Sequence, residues 1–278
     1  MAGRNLVPRP AAGITALRIV MARRLSGPVV PRRGGHPTAA EPSLLVHHRW
    51  FLCDDVTVTS TAQPYPAYRP GLDLTDVKEE LRRAIRSERE RMTARARARA
   101  AEDFAMVVGD LPQVRAARCV AAYVARPNEP GTVPLLERLA ARGTTVLLPV
   151  LGTGLQRDWA WFTSASELEV RAPGRPPEPA GPTVGAEMLA QADAIIAPAL
   201  AVDTSGMRLG QGGGWYDRVL AYARPDACVI AMVFPDEVYD AEVRPLPRQE
   251  HDQPVDIVAT PAGWQWVRNR GDAPCVTV

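Results

Sequence analysis

One short stretch limits what this chain can fold into: Arg208-Leu-Gly-Gln-Gly-Gly-Gly-Trp-Tyr-Asp217. An apolar run, Ala194 to Val202, precedes it and reads as a buried strand. Asp203-Thr-Ser-Gly206 lies between them and is a turn by composition. Arg218 to Arg224 then reads as a helix. The glycines therefore sit where a strand hands over to a helix. Gly210, Gly212, Gly213 and Gly214 let the backbone reach positive φ and approach a ligand closely. A helix start beside such a loop offers unpaired N–H groups to a phosphate. Arg208 is a candidate phosphate clamp and Asp217 a hard oxygen ligand for the Mg²⁺ that accompanies a nucleotide. The string is not a Walker A loop, because no Lys-Ser or Lys-Thr follows the glycines. It is not G-x-G-x-x-G either, because Trp215 stands at the last glycine position. Pattern alone leaves two readings open, a phosphate site and a structural turn ahead of a helix whose first turn carries Asp217.

The string R-L-G-x-G-G-G-W-Y-D-R resembles the signature of the 5-formyltetrahydrofolate cyclo-ligase (5,10-methenyltetrahydrofolate synthetase) family. The aromatic pair, commonly two tyrosines in the family, is Trp215-Tyr216 here. The resemblance runs from about Asp76 to Trp264 and omits the first seventy or so residues.

Residues 1–72 hold nine Arg against three acidic residues, and prolines break any periodicity. They are expected to form a disordered extension, with composition that also suits an organellar transit peptide. Their one apolar run, Ile14 to Met21, is too short for a bilayer, which needs about 20 residues. The net charge is +2, so the rest of the chain is mildly acidic, which gives no electrostatic case for nucleic acid. Cys53, Cys119, Cys228 and Cys275 show no metal or redox spacing, which fits thiols in the cytoplasm. Expected, then, are a cytoplasmic monomer with neither nucleic acid nor membrane as partner, and a domain over residues 73–267 ending in a loose tail over 268–278.

Of 33 basic residues only Lys78 is a lysine, which suggests that an ammonium is needed there. It lies on an amphipathic helix opened by Asp73, whose stripe is Val77, Leu81 and Ile85 and whose cap is Thr75 or Asp76. Lys78 and Arg82, four apart, share a polar face, which leaves open a functional pair and a solvated charged surface. Downstream, Cys119 to Ala125, a helix from Val133 to Arg142 and Thr144 to Val150 form a strand-helix-strand unit. Further strands are expected over Trp159–Thr163, Ala227–Phe234 and Val255–Thr260. The fold class is α/β, a single domain with a mostly parallel open sheet flanked by helices. The topology beyond that rests on the resemblance.

The resemblance also implies roles. Lys78-Glu-Glu-Leu-Arg82 matches the family's K-x-x-L-R, so Lys78 and Arg82 join Arg208, Leu209, Gly210, Gln211, Gly212, Gly213, Gly214, Trp215 and Tyr216 as ATP contacts. Glu129-Pro-Gly-Thr132 matches E-x-x-T, which makes Glu129 and Thr132 substrate contacts together with Trp215 and Glu178 of Pro177-Glu-Pro179. A carboxylate suits a pterin because it accepts two N–H bonds from its guanidine-like edge. Thr132 is also a plausible helix cap. Asp252 of His251-Asp-Gln-Pro-Val-Asp256 matches a second Mg²⁺ ligand beside Asp217, and His251 is a tempting base. Arg208 and Tyr216 would stand at the reacting centre. The implied reaction is ATP-dependent cyclisation of 5-formyltetrahydrofolate to 5,10-methenyltetrahydrofolate. Two alternatives keep the loop without that chemistry: a non-catalytic nucleotide- or folate-binding relative, and a sugar-phosphate isomerase or CoA-transferase on a related scaffold.

Overall fold

The computed structural model describes residue 71, residues 73–151 and residues 157–268. The expectations for residues 1–72 and for the tail fall almost wholly outside them.

Five helices are described: α1 (Leu74–Arg91), α2 (Ala94–Gly109), α3 (Pro112–Ala116), α4 (Val133–Ala141) and α5 (Trp215–Val219). The strands are β1 (Cys119–Ala121), β2 (Thr145–Val150), β3 (Asp158–Trp161), β4 (Leu168–Glu169), β5 (Glu178–Pro179), β6 (Thr183–Val184) and β7 (Ala194–Pro198). After them come β8 (Ala201–Asp203), β9 (Arg208–Leu209), β10 (Cys228–Met232), β11 (Val238–Tyr239), β12 (Ile257–Thr260) and β13 (Gly263–Trp266).

Eight strands form the main sheet in the order β13-β12-β10-β7-β1-β2-β3-β6. From β12 to β2 every pairing is parallel, and the antiparallel strands β13, β3 and β6 lie at the edges. The five inner strands are short and almost wholly apolar, as sheets covered on both faces require. Phe104 and Val108 of α2 and Leu135, Leu136 and Leu139 of α4 are buried in the core that covers this sheet. The chain leaves β1 for β2 on one side and later returns to β7 on the other. The loops after β1 and β7 thus flank the point where strand order reverses, where open α/β sheets bind ligands.

The run Ala194 to Val202 is not one strand. It breaks after Pro198, and β8 joins a separate three-stranded sheet, β11-β8-β9. The reason lies in Asp203, which is 1% exposed and whose carboxylate accepts from Ser205 N, Met207 N and Leu246 N at 2.9 to 3.0 Å. Those bonds fold the chain back as a hairpin, so that Arg208 pairs with Val202. A second apolar cluster covers this small sheet: Leu81 and Ile85 of α1 pack with Leu200, Met207, Leu209, Tyr239 and Leu246. The apolar stripe of α1 therefore holds it against the hairpin that launches the glycine loop. Its cap is Asp73, which accepts from Thr75 N, rather than Thr75 or Asp76.

The first parallel strand is also shorter than its apolar run. Ala122 N still donates to Leu147 O (2.9 Å), but Ala125 N turns to the hydroxyl of Thr132 (3.1 Å). Thr132 is fully buried in that role and makes no side-chain bond to cap α4.

Candidate active site

The glycine loop begins where β9 leaves its hairpin. Gly212 (φ 104°) and Gly214 (φ 58°) adopt the left-handed backbone that side chains disfavour. Gly214 leads into α5, which starts three residues before the expected Arg218, has only five residues and tightens into a 3₁₀ turn over Leu220–Tyr222. A single helical turn carries little dipole, so an anion held here would rest on the groups of the loop itself. Its carbonyls show how. Arg82 Nε donates to Gly210 O (2.9 Å) and Arg86 Nη2 to Gln211 O (2.9 Å). In a trans peptide the N–H points opposite to the C=O, so the N–H groups of Gln211 and Gly212 face away from α1. The N–H groups of Gln211, Gly212 and Gly213 donate to no described residue. Among the described residues these donors are unpaired, on a loop whose rear is fixed by two guanidinium groups.

The same helix carries Lys78. Its ammonium donates to Asp252 Oδ2 at 2.5 Å and to Gln249 Oε1 at 3.0 Å. The residue is 5% exposed and packs against the 249–252 loop, which rules out the solvated-surface alternative. Burial works against the Asp252 carboxylate, but the Lys78 bond, the Gln249 N–H and the charges of Lys78 and His251 outweigh it and hold its pKa below the ordinary value. His251 is exposed, with Nε2 4.0 Å from Asp252 Oδ1, and makes no hydrogen bond to a described residue that would orient it as a base.

Asp217 is tied to Arg208, whose Nη2 lies 2.5 Å from Oδ1. Gln253 N reaches the same oxygen at 3.3 Å, so the loop bearing Asp252 touches Asp217. Each carboxylate engages a cation with one oxygen. Asp217 Oδ2 has no described partner. No group of three or more His, Cys, Asp or Glu is arranged for a metal among the described residues. Two hard carboxylates are too few for an all-protein cage, but they fit Mg²⁺, which is commonly held by one or two carboxylates together with substrate phosphates.

Glu129 approaches from the loop after β1. Its Oε2 accepts from Arg126 N (2.8 Å) and its Oε1 from Gln211 Nε2 (2.7 Å). Beside it opens a cavity of about 520 Å³, lined among others by Arg97, Ala101, Thr132, Val170 and Pro177. Glu178 follows the lining residue Pro177. It is 2% exposed and accepts from Leu151 N at 3.0 Å. Trp215 packs edge-on against Trp159 (5.2 Å) and Tyr216 (5.0 Å). Tyr216, expected where the two substrates meet, is a core residue whose hydroxyl donates to Ala122 O (3.4 Å). Burial pushes its phenol far up, so it stays protonated.

Elements distant in sequence thus bring Lys78, Arg82, Arg208, the glycines, Asp217 and Asp252 into one connected site, with Glu129 joined to it through Gln211. Sequence reading missed Arg86 and Gln249. Arg86 was visible as the next step of the four-residue series from Lys78 and Arg82. Gln249 carries no local signal.

Comparisons with known proteins show the family. The model of the "5-formyltetrahydrofolate cyclo-ligase family" matches residues 74–261. A 5-formyltetrahydrofolate cyclo-ligase of Mycolicibacterium smegmatis is 41% identical over 149 residues, covering 52% of this chain and 74% of that protein. The Escherichia coli K12 enzyme of the same name is 30% identical over 188 residues, 66% of this chain and all of the relative. Among solved structures, Aquifex aeolicus 5,10-methenyltetrahydrofolate synthetase aligns with a TM-score of 0.59 at 27% identity, covering 72% of this chain and 98% of its own. The Mycoplasma pneumoniae 5,10-methenyltetrahydrofolate synthetase, 17% identical with a TM-score of 0.51 over 66% of this chain and 98% of its own, shares the fold. The chain belongs to the 5-formyltetrahydrofolate cyclo-ligase family and is an enzyme of that family.

Proposed function

We propose that the chain cyclises 5-formyltetrahydrofolate to 5,10-methenyltetrahydrofolate at the expense of ATP, releasing ADP and phosphate. The observation that carries this reading is the glycine loop: its N–H groups at Gln211 to Gly213 have no partner among the described residues, its rear is held by Arg82, and the Gln211 side chain joins it to Glu129 across 2.7 Å. It supports a polyphosphate cradle and a pterin-type acceptor side by side at the switch point of the sheet.

The formyl oxygen is a poor leaving group. Transfer of the γ-phosphoryl to it converts it into a phosphate ester oxygen. The neighbouring amine nitrogen of the same folate then attacks the formyl carbon, and phosphate departs with that oxygen. Such a transfer asks for alignment and charge neutralisation more than for covalent help. The loop N–H groups would hold the phosphates. Lys78 and Arg208 would neutralise charge developing on the transferred group. Arg82 would keep the loop in shape through Gly210 O. Glu129 would orient the pterin. Asp217 and Asp252 would hold Mg²⁺, which supplies charge neutralisation on the phosphates. No nucleophilic Ser or Cys is needed.

We place this activity in the cytoplasm, in a monomer with no nucleic-acid or membrane partner. The buried thiols Cys119 and Cys228 support a reducing compartment. Among the described residues no helix is long and apolar enough to cross a membrane.

The test is a mixture of the protein, MgATP and 5-formyltetrahydrofolate, followed by the absorbance of the methenyl product. Product should form only with ATP present, with one ADP released per turnover. Binding of both ligands without product would favour the non-catalytic relative, and a different activity that needs no ATP would favour the isomerase or CoA-transferase alternative.

A further inference from the structure

Gln211 occupies the unspecified position of the glycine string, yet its side chain is the one direct contact among the described hydrogen bonds between that loop and Glu129. Its amide faces two ways. Nε2 donates to Glu129 Oε1 at 2.7 Å, while Oε1 accepts from Arg86 Nη2 at 3.3 Å and Nε at 3.4 Å. Arg86 Nη2 also holds Gln211 O at 2.9 Å, so the guanidinium grips both ends of the residue. A guanidinium on one side requires an acceptor, and a carboxylate on the other requires a donor. A primary amide offers both without net charge. Glu129 is in turn fixed at its second oxygen by Arg126 N (2.8 Å) and lines the cavity of about 520 Å³.

We propose that Gln211, held by Arg86, is the positioning residue for Glu129, and that it sets the affinity of the folate pocket from within the nucleotide loop. The inference rests on the proposed function, since it takes the Glu129 cavity to be where folate binds. With one bond fixed to each oxygen, the carboxylate keeps a lone pair on each, and in the lining of the cavity these can meet two N–H groups of a pterin edge. The arrangement also ties the position of the nucleotide loop to that of the folate pocket. A shift of the backbone at Gln211 moves the donor that orients Glu129.

The experiment compares full-length wild type, Gln211→Leu and Gln211→Glu by calorimetry. Dissociation constants are measured for 5-formyltetrahydrofolate alone and for MgATP alone. Gln211→Leu should weaken 5-formyltetrahydrofolate by about tenfold, the scale of a hydrogen bond to a charged acceptor, and should weaken MgATP distinctly less. Gln211→Glu discriminates the two roles the residue could have. A carboxylate there pairs well with Arg86, so a residue that only fastens the loop to α1 would tolerate it. The same carboxylate repels Glu129, so the proposal expects a folate loss larger than in Gln211→Leu. Arg86→Leu should weaken folate in the same direction and add little in the Gln211→Leu background. Folate binding unchanged in Gln211→Leu, or restored in Gln211→Glu, would overturn the inference and leave the proposed function standing. Wild-type protein that binds no 5-formyltetrahydrofolate would overturn both.

Discussion

Arg89→Met is expected to cost about 3–5 kcal/mol of folding stability, the usual penalty for removing one partner of a buried ion pair. Arg89 closes a two-pronged bridge with Glu237: Nε to Oε1 and Nη2 to Oε2, each 2.7 Å, with both side chains at most 5% exposed. Nη2 also donates to Ala199 O (2.8 Å), and the guanidinium lies 5.4 Å over the Phe234 ring. Burial already lifts the Glu237 carboxyl above its ordinary pKa, against the opposing pull of Arg89. Without Arg89, only Phe234 N (2.8 Å) among the described contacts supports the charge. The native carboxyl would then take up a proton more readily than the unfolded one, so the loss should deepen as pH rises and shrink as pH falls. Guanidinium melts at several pH values measure this. Arg89→Met combined with Glu237→Leu should recover much of the loss, because no charge is left stranded. A penalty below about 1 kcal/mol in the single variant would show that the bridge is not what seats the end of α1.

Lys78→Ala should lower kcat/KM for ATP by about a hundredfold, the scale of deleting one preorganised charge-stabilising donor. It should also destabilise the fold. The 5% exposure of Lys78 and its 2.5 Å bond to Asp252 mean that truncation leaves a carboxylate without its cation. Stability and kinetics must therefore be read together. Lys78→Arg should rescue only part of the activity, because a forked guanidinium does not replace a compact ammonium held between Asp252 Oδ2 and Gln249 Oε1. An unchanged KM for ATP in a destabilised Lys78→Ala would make Lys78 a structural partner of Asp252 and remove it from the phosphate site.

The parts of this site that were legible in the sequence are those with local signatures. The glycines announce a loop, the four-residue spacing of Val77, Leu81 and Ile85 announces α1, and a lone lysine announces itself by composition. Apolar runs placed β2, β10 and β12 to within a residue or two. The run from Ala194 to Val202 misled because two consecutive strands of different sheets have the same apolar composition. What separates them is the buried carboxylate of Asp203, whose partners include Leu246, 43 residues away. The Arg89–Glu237 bridge spans 148 residues and Lys78–Asp252 spans 174, so neither leaves a pattern in any window. Thr132 shows how one residue type can serve two local ends. Its place before α4 suited a cap, but its hydroxyl closes the preceding loop on Ala125. Gln211 was counted only as part of a nucleotide loop, because the relation of its side chain to Glu129 exists only once β1 and β7 lie side by side.

The claim that the formyl oxygen is the phosphoryl acceptor can be tested by following that atom. The substrate is 5-formyltetrahydrofolate carrying ¹⁸O in the formyl group, turned over with unlabelled MgATP in ordinary water, and the released phosphate is analysed by mass. Phosphorylation of the formyl oxygen followed by attack of the neighbouring nitrogen requires the carbon–oxygen bond to break, so each phosphate should carry one ¹⁸O. Label found in water, with unlabelled phosphate, would mean that ATP hydrolysis and ring closure proceed without a phosphorylated formyl group, and would contradict the account.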